Sequence, residues 1–289
     1  MHNGQVSAPL ADASAAAPVR RKAPPKFHAV SVEAIEELTP RMRRITFTGP
    51  DLATYPNDGP ATHFKILLAP PGVDRVEVPQ LGPDGAGWPA TGPDAPLRRT
   101  FTPRFVDTEA CRLVIDFALH GEHGGPASQW AAAAQVGDEV VVTGGRGAYR
   151  IDPAAPWTLI VGDETALPAI ATILEDAPAD ASIILLVEVQ DADDEMALPL
   201  TSNSTLTWVH RGDRTAGEAV AAAAAAAALP EGAGNAWVGI EAASMRAVRR
   251  QLIADRGFTR DRLATRAYWK FDAPGYRDGD TGEDVDATI

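Results

Sequence analysis

Residues 157–176 read WTLIVGDETALPAIATILED, and this stretch indicates the fold class of the second half of the chain. Thr158–Val161 is a short run of β-branched and apolar residues typical of a buried strand, and Gly162–Thr165 has the composition of a turn. Leu167–Asp176 has the length and composition of a helix. A strand that leads through a tight turn into a helix is the first half of a βαβ unit. The stretch therefore predicts a parallel sheet with helices on its faces.

The same alternation continues to residue 269. Four further strand-like segments follow, and one of the helical segments between them contains eight consecutive alanines. The predicted strands are Ser182–Val189, Thr205–His210, Trp237–Ile240 and Leu263–Trp269, and the predicted helices are Glu218–Leu229 and Ser244–Asp255. Strands alternating with helices predict a doubly wound sheet. Ligands of such sheets bind beyond the carboxyl ends of the strands, where Gly162–Thr165 is placed.

The first half of the chain has a different pattern. Short strand-like segments with mixed β-branched and polar residues are interrupted by one alanine-rich helical segment, Pro126–Gln135, with proline in its first turn. The predicted strands are Ala29–Ile35, Arg43–Thr48, Phe64–Leu68, Leu113–Leu119 and Glu139–Thr143. Many short strands at regular spacing predict an antiparallel β-barrel. The fold class is therefore α+β, with a barrel domain followed by an α/β doubly wound domain.

Proline-bounded residues Asp152–Pro156 separate the two patterns. We expect a barrel domain over residues 27–153 and an α/β domain over residues 157–271. Residues 1–26 are rich in Ala and Pro, and residues 272–289 carry six acids against one arginine, so both tails are predicted to be disordered.

Composition excludes several classes of protein. The formal net charge of −13 argues against general nucleic-acid binding. The single cysteine, Cys111, permits neither an internal disulfide nor an iron–sulfur cluster, which needs about four thiolates. No run approaches the roughly 18–20 apolar residues that span a bilayer, and no signal sequence is recognisable. We expect a cytoplasmic monomer without membrane contact.

Arg98–Arg104 is the first stretch with residues suited to a flavin cofactor. Arg99 and Arg104 offer planar guanidinium groups that pair with phosphate oxygens, Thr100 and Thr102 offer hydroxyls, and Phe101 offers a flat apolar face. The alternative is a basic edge strand that ends in a turn.

A second stretch, Asp116–Trp130, runs from a strand through glycines into a helix. Glycines such as Gly125 let an anion approach the backbone, and the free N–H groups of a helix start bind phosphate. Ala127 lies in that first turn, and Ser128 adds a hydroxyl. Trp130 is predicted to pack in the core. His120 and His123 lack accompanying ligands at zinc-like spacing, so no metal site is predicted.

Two further glycine-containing stretches follow strands. Gly144–Gly147 is either a close approach to a cofactor, with Gly145 at its centre, or a plain hairpin turn. Gly162–Ala169 is a strand–turn–helix without the Gly-x-Gly-x-x-Gly fingerprint, and acids stand where a pyrophosphate would be expected. Thr165 and Ala166 at the helix start could still donate to a nicotinamide or its phosphates.

These stretches resemble the siderophore-interacting protein family of ferric-siderophore reductases. The resembling motifs are Arg99–Arg104, Asp116–Ala131, the unbroken Gly162–Ala169 signature, Glu241 before a helix with Arg249-Arg250, and Tyr268-Trp269-Lys270. The resemblance covers about residues 26–271.

The resemblance implies an FAD-binding barrel and a nicotinamide-binding α/β domain, similar to ferredoxin–NADP reductases. Members reduce a siderophore's Fe(III) to Fe(II), with NADH or NADPH, or a ferredoxin, as donor. The cofactor-binding residues it implies are Arg99, Thr100, Phe101, Thr102, Arg104, Asp116, His120, Gly125, Ala127, Ser128, Gly145, Thr165, Ala166 and Glu241. Lys65 and Lys270 would bind the anionic ferric siderophore.

One residue departs from the family pattern. Phe101 stands where the family usually has tyrosine, so the ring remains but a phenol hydroxyl is lost, at a cost to FAD binding of roughly 1 kcal/mol.

The residues alone do not decide between NADH and NADPH as the electron donor. The resemblance places the adenosine end of the nucleotide near Glu188–Asp194 and Thr205–Arg211. Asp191, Asp193 and Asp194 would repel a 2′-phosphate, and Arg211 and Arg214 would attract it.

Two other functions also stay open. One is a flavoprotein reductase with another acceptor, such as a quinone, a flavin or a ferredoxin. The other is a siderophore-binding protein with little reductase activity.

Overall fold

The structure is a computed structural model that describes residues 26–70, 72–73, 75–79, 95–121, 124–273 and 276. Most of the two tails predicted to be disordered lies outside these residues, as does His123. Within the described part, the strands form one seven-stranded antiparallel sheet and one five-stranded parallel sheet. The predicted fold class is therefore confirmed. None of the described helices combines the length and the apolar character that a membrane crossing requires.

The antiparallel sheet contains seven strands in the order β4-β3-β7-β1-β2-β6-β5. Their bounds are β1 Phe27–Thr39, β2 Met42–Thr48, β3 Phe64–Leu68, β4 Leu97–Phe101, β5 Phe105–Asp107, β6 Arg112–Ala118 and β7 Glu139–Thr143. Its interior is filled by alternate apolar side chains of the strands, and Ile45, Phe47, Ile66 and Ile115 are fully buried there. Helix α1, Pro126–Ala133, packs on this core through Trp130, as the sequence predicts. The Trp130 ring stacks on that of Phe47, with 6.2 Å between the ring centroids.

The two edge strands of this sheet, β4 and β5, are joined by only three residues, Thr102–Arg104. So short a link holds the two edges close together, because three residues span little more than about 10 Å. The Arg104 N–H also donates to the Val114 carbonyl of β6 at 2.8 Å. The sheet therefore curls into a half-barrel, and this link lies where the two edges meet.

The parallel sheet has the strand order β10-β9-β8-β11-β12. The strands are β8 Thr158–Asp163, β9 Ser182–Val189, β10 Asn203–His210, β11 Asn235–Glu241 and β12 Leu263–Trp269, and the helices are α2 Leu167–Asp176, α3 Glu218–Ala226 and α4 Ala242–Arg256. The chain builds outward from β8 to β10 and then crosses to β11. The strand order therefore reverses between β8 and β11, which is where ligands of such sheets bind.

Strand β8 is longer than the sequence pattern predicts. Gly162 and Asp163, assigned to a turn, are paired with Val187 and Glu188 of β9. A Cβ on Gly162 would lie 2.5 Å from Cδ1 of Ile170, so glycine here lets α2 pack directly on the strand. The prediction of a turn was wrong for these two residues, because glycine served close approach rather than chain reversal.

Helix bounds also differ from those predicted. Helices α1 and α3 end at Ala133 and Ala226, short of the predicted Gln135 and Leu229, and α4 starts two residues before Ser244.

Ion pairs and hydrogen bonds hold the two sheets together. Arg41, after β1, donates to Asp194 at 2.6 Å and to Asp191 at 3.1 Å. Arg104 forms two hydrogen bonds of 2.7 and 2.9 Å with Glu175 of α2. Both contacts join the half-barrel to the α/β domain, and a cleft lies between these two domains.

Candidate functional site

The cleft contains a cavity of about 1680 Å³. Its walls come from β3, β4, β6 and the start of α1 in the half-barrel, and from β12, α4 and the residues that follow β8 in the α/β domain. Pockets for one drug-sized ligand occupy roughly 300–1,000 Å³. The cavity is therefore large enough for two ligands that meet at the domain boundary.

Most of the residues expected to bind cofactor or substrate line this cavity. They are Lys65, Arg99, Thr100, Phe101, Thr102, Asp116, His120, Gly125, Ala127, Ser128, Thr165 and Lys270. These residues come from β3, β4, β6, the start of α1 and the segments that follow β8 and β12, so the fold brings the predicted motifs together in one place.

Arg99 is a half-buried cation on the half-barrel wall. Burial lowers the pKa of its guanidinium, and no carboxylate in the described part of the chain forms an ion pair with it. Its Nη1 donates to the Arg98 carbonyl at 2.9 Å. A desolvated guanidinium without an acidic partner is stabilised by a bound anion, and its planar fork suits phosphate oxygens.

The start of helix α1 is a second element of the same wall with features suited to an anion. Gly125 stands at the N-cap position without a side-chain cap, and the first turn contains no acid. Ser128 Oγ accepts a hydrogen bond from the His120 N–H at 2.9 Å, which ties the preceding loop to the helix. Backbone N–H groups at such a start, with the helix dipole, bind phosphate.

Phe101 supplies an aromatic surface at the end of β4. It lines the cavity, and its ring centroid lies 4.6 Å from that of Phe117. The adjacent Thr102 is hydrogen-bonded to Tyr268 of β12, a phenol whose pKa burial raises. A flat ring held from behind and a neighbour tied to the other domain give a rigid wall against which a planar ring system can stack.

Asp116 is held on this wall by Arg44. Nε and Nη2 of Arg44 donate to its two carboxylate oxygens at 2.7 and 2.9 Å, across the paired strands β2 and β6. This bond raises the pKa of Arg44. Both carboxylate oxygens are therefore engaged within the half-barrel.

The facing wall begins at Asp163, the last residue of β8. Its Oδ1 accepts the Thr165 N–H at 3.0 Å, and its Oδ2 accepts the Trp269 indole N–H at 2.8 Å. Burial, together with the neighbouring Glu164, raises the pKa of Asp163 to about 7. The carboxylate therefore joins the end of β8 to the end of β12.

Glu164 and Arg211 form the next part of this wall. Arg211 donates to Glu164 at 2.5 Å and to the fully buried Glu188 at 2.8 Å. Nδ1 of His120, in the half-barrel, lies 3.9 Å from Oε1 of Glu164. Burial lowers the pKa of the His120 imidazole, although the Glu164 carboxylate acts to raise it. The wall is thus a carboxylate-rich network with one arginine at its centre.

Four of the expected site residues do not line the cavity. Arg104 is paired with Glu175, and Ala166 is fully buried at the N-cap of α2. Gly145 packs against Thr62, whose Cγ2 would lie 2.5 Å from an added Cβ. Glu241 accepts the N–H groups of Ala243 and Ser244 at the start of α4.

The two expected substrate lysines lie on opposite domains. Lys65 donates to the Thr100 hydroxyl across β3 and β4, and Lys270, just after β12, lies 5.9 Å from the Tyr276 ring centroid. Arg249 and Arg266 also line this side of the cavity. Sequence patterns did not single out Arg266, although it alternates with Tyr268 and Lys270 along β12 and could have been found on that basis.

The acids expected to face a nucleotide's adenosine end have other partners. Asp191 and Asp194 both accept from Arg41, and Asp194 is buried with the Thr39 hydroxyl 3.1 Å away. Arg211, expected to attract a 2′-phosphate, is engaged by Glu164 and Glu188.

Two family models match the chain. A siderophore-interacting FAD-binding domain matches residues 31–149, and a siderophore-interacting protein domain matches residues 155–272. The crystal structure of the siderophore-interacting protein SipS from Aeromonas hydrophila is 33% identical, with a TM-score of 0.72 over 86% of this chain and 93% of that one. That of a siderophore utilization protein from T. fusca is 31% identical, with a TM-score of 0.74 over 88% and 97%.

Curated relatives include reductases. The ferric vibriobactin reductase of Vibrio cholerae is 31% identical over 229 residues, 78% of this chain and 83% of the relative. The NADPH-dependent ferric-chelate reductase of Escherichia coli is 28% identical over 84% of this chain and 93% of the relative. An uncharacterised Mycobacterium tuberculosis protein is 40% identical over 65% of this chain, a match that spans 66% of that protein.

Proposed function

The chain belongs to the siderophore-interacting protein family, and we propose that it is an NAD(P)H-dependent, FAD-containing reductase of ferric siderophores. The half-barrel would hold FAD, and the bound flavin would supply the conversion of a two-electron hydride donor, the reduced nicotinamide, into single electrons for iron. Overall, one reduced nicotinamide and two Fe(III) ions yield the oxidised nicotinamide, two Fe(II) ions and a proton.

The observation that carries this proposal is the half-buried Arg99, which lines the same cavity as the uncapped start of α1. An FAD pyrophosphate would supply the counter-charge that the described chain does not give Arg99. The N–H groups near Gly125 would bind the same phosphates, and Phe101 would lie against the flavin ring. The residues present therefore fit FAD, and each has one defined task.

The α/β domain would complete the site from the opposite side. Thr165 lines the cavity at the end of β8, where the strand order reverses, and would face the nicotinamide. The bond from the Trp269 indole N–H to Asp163 joins β12 to β8 within this wall, and the bond between Tyr268 and Thr102 joins the wall to the half-barrel. The protein's contribution is then to hold donor and flavin in contact and to exclude water.

Lys65 and Lys270 are proposed to bind the ferric siderophore. They are lysines that line the same cavity from the two domains, and a ferric siderophore is commonly anionic. Outer-sphere electron transfer to Fe(III) needs no nucleophile and no acid–base pair at the metal. Release of iron follows because the chelator binds Fe(II) more weakly than Fe(III).

An anaerobic titration tests this function. FAD-loaded protein is mixed with NADH or NADPH, and loss of the oxidised flavin absorbance is followed. A ferric siderophore is then added with an Fe(II)-specific chelator. We expect bleaching by the nucleotide, then flavin reoxidation and two Fe(II) per flavin. A bleached flavin that no ferric chelate reoxidises would refute the proposal.

Substitution of both lysines provides a second test, which concerns their role in binding the ferric siderophore. Lys65→Gln with Lys270→Gln should raise KM for an anionic ferric chelate and leave flavin bleaching by the nucleotide unchanged, because neither charge contacts the flavin phosphates in this proposal. The matched control is Lys26→Gln, which removes an exposed lysine that does not line the cavity. Equal KM values in the double variant and the control would contradict the assignment of the two lysines.

A further inference from the structure

The segment that follows β12 contains one of the two lysines proposed to bind the ferric siderophore. Pairing of β12 with β11 ends at Trp269, which lies opposite Glu241. Lys270 and Phe271 are therefore outside the hydrogen-bond ladder of the sheet, and both line the cavity. Backbone that has left a sheet needs other partners for its N–H and C=O groups. The conformation of Lys270 thus depends on contacts made beyond the end of the strand.

The peptide group between Lys270 and Phe271 is held at both of its polar atoms. Its carbonyl, on Lys270, accepts the N–H of Ala273 at 3.2 Å, which closes a turn. Its N–H, on Phe271, donates to Oε1 of Glu241 at 3.3 Å. Because a peptide group is planar, these two bonds fix the rotation about the Cα–C bond of Lys270. They therefore fix the direction in which the lysine side chain leaves the backbone.

Glu241 is placed for this contact by the start of α4. It is the last residue of β11, and its Oε2 accepts the N–H groups of Ala243 and Ser244 at 2.5 and 3.0 Å. The side chain is buried, and both of its oxygens have backbone donors as partners. One carboxylate oxygen therefore caps the helix, and the other holds the segment after β12.

The bond to Glu241 is the main anchor of Phe271. The Phe271 side chain is 62% exposed, so its packing contributes little to the position of this segment. A cap of α4 alone would need only one carboxylate oxygen, since both helix N–H groups donate to Oε2. The second oxygen of Glu241 thus has a task beyond the stability of the helix.

The ammonium group of Lys270 has a support of its own. Its Nζ lies 5.9 Å from the centroid of the Tyr276 ring, which is within the range of a cation–π contact. Tyr276 packs against the apolar core of the α/β domain, which includes Met245 and Val248 of α4. The backbone of Lys270 is thus held through Glu241 and its ammonium group through Tyr276, so the lysine is held at both ends beside the cavity.

We infer that Glu241 is a positioning residue for substrate binding, which fixes Lys270 at the cavity wall through the Phe271 N–H. Lys270 then contacts the anionic ferric chelate, and Glu241 acts on binding without touching the chelate, because it does not line the cavity. The inference rests on the proposed function, which assigns Lys270 to the substrate.

Glu241→Gln separates the two tasks of this side chain. An amide has one oxygen acceptor, and the start of α4 presents two N–H groups where Phe271 presents one. The amide oxygen should therefore remain at the helix, and the NH2 group should face Phe271. An NH2 group cannot accept a hydrogen bond, so the variant keeps the cap and loses the contact with Phe271.

The matched control is Gly257→Ala at the opposite end of the same helix. Gly257 is the C-cap of α4 and has a φ of +69°, and an added Cβ would meet no atom within 4 Å. Alanine there strains the backbone of the cap, because an L-residue rarely adopts this conformation, and leaves Phe271 untouched. The control therefore disturbs α4 without disturbing Lys270.

Reduction of two ferric chelates by the FAD-loaded protein measures the effect under anaerobic conditions. The probes are an anionic ferric tris-catecholate and an uncharged ferric tris-hydroxamate. In Glu241→Gln, KM for the anionic chelate should rise about fivefold, which corresponds to one ordinary hydrogen bond. Its kcat, and KM for the uncharged chelate, should change by less than about twofold, as should every value in Gly257→Ala. An unchanged KM for the anionic chelate, or an equal rise for both chelates, would overturn the inference.

A second substitution tests whether Glu241 acts through Lys270. If it does, Glu241→Gln should change KM for the anionic chelate by less than about twofold in a protein that already contains Lys270→Gln. Effects of the two substitutions that multiply would overturn the inference, because they would show that Glu241 acts on binding by another route.

Binding supplies a readout that does not depend on turnover. The gallium(III) tris-catecholate has the charge of the ferric complex and is not reduced by the flavin, so calorimetric titration into oxidised FAD-loaded protein gives its dissociation constant. We expect this constant to rise about fivefold in Glu241→Gln and to stay unchanged in Gly257→Ala. Equal constants in the two variants would overturn the inference. Failure of both ferric chelates to reoxidise the flavin of the unsubstituted protein would instead overturn the proposed function, so the two failures are distinguishable.

Discussion

Replacement of Arg99 by methionine should weaken FAD binding without destabilising the apoprotein. Methionine keeps a similar length of apolar side chain and removes the guanidinium. Hydrogen bonds to charged groups contribute roughly 1.5–3 kcal/mol, so the dissociation constant of FAD should rise about tenfold to hundredfold. Stability should not fall in parallel, because burial lowers the pKa of Arg99 and the described chain offers its charge no carboxylate. The unliganded fold therefore carries a desolvated cation that methionine relieves.

Arg104→Met is the matched control, because it removes an arginine three residues after the end of the same strand. Arg104 forms two hydrogen bonds with Glu175 and does not line the cavity. Its loss should lower the stability of the apoprotein by about 1 kcal/mol, since the pair is bidentate but Glu175 is partly exposed. The affinity for FAD should change by less than about twofold.

Two measurements distinguish the variants. Quenching of flavin fluorescence on titration of FAD into apoprotein gives the dissociation constant, and urea unfolding of the apoprotein gives the stability. The reasoning predicts opposite profiles, with affinity lost in Arg99→Met and stability lost in Arg104→Met. Unchanged FAD affinity in Arg99→Met, or a large loss of affinity in Arg104→Met, would refute the assignment of the pyrophosphate to Arg99.

Three further predictions concern the interface, pH and the aromatic wall. Arg41→Gln should lower the free energy of unfolding in urea by about 1–2 kcal/mol, because Asp194 stays buried without its cation. The control Arg112→Gln removes an exposed arginine and should leave the urea unfolding midpoint unchanged. Equal midpoints of the two variants would contradict this. The pKa of Asp163 is raised in the folded state, so protonation of this carboxyl stabilises the fold below pH 3.8, and the contribution is lost as pH rises through about 7. The urea midpoint of Asp163→Asn should therefore decline less over that range than the midpoint of the unsubstituted protein. Parallel pH profiles of the two proteins would contradict this. Phe101→Tyr should bind FAD about fivefold tighter by fluorescence titration if the phenol regains one hydrogen bond, and unchanged or weaker binding would reject that role.

The fold class could be predicted because periodicity is local. Alternation of buried strands with helices after Trp157 specifies a doubly wound sheet, and short strands before Asp152 specify an antiparallel one. The predicted bounds of strands and helices were less accurate where one residue type can have two structural roles. Gly162 was assigned to a turn, but in the structure it lets Ile170 of α2 approach β8. Only the tertiary neighbour distinguishes these uses of glycine.

The candidate site was predictable to the extent that it depends on short-range sequence. Glycine, proline and serine around the start of α1 specify an open helix start without reference to the rest of the chain. Arg104 could not be separated from Arg99 in this way, because its partner, Glu175, lies 71 residues later. Both arginines match the same motif, and the ion pair alone distinguishes them.

The acids of Gly162–Ala169 are a second case in which the sequence alone did not give the role of site residues. Their carboxylates occupy positions where a phosphate site was expected on the α/β side of the cavity. In the structure Asp163 bonds Thr165 and the Trp269 indole, and Glu164 bonds Arg211. The motif therefore joins β8 to the ends of β12 and β10, and these bonds place Thr165 and Trp269 on the cavity wall. The acids of the motif leave the start of α2 itself open, because its N-cap, Ala166, has no side-chain cap and its first turn contains no acid.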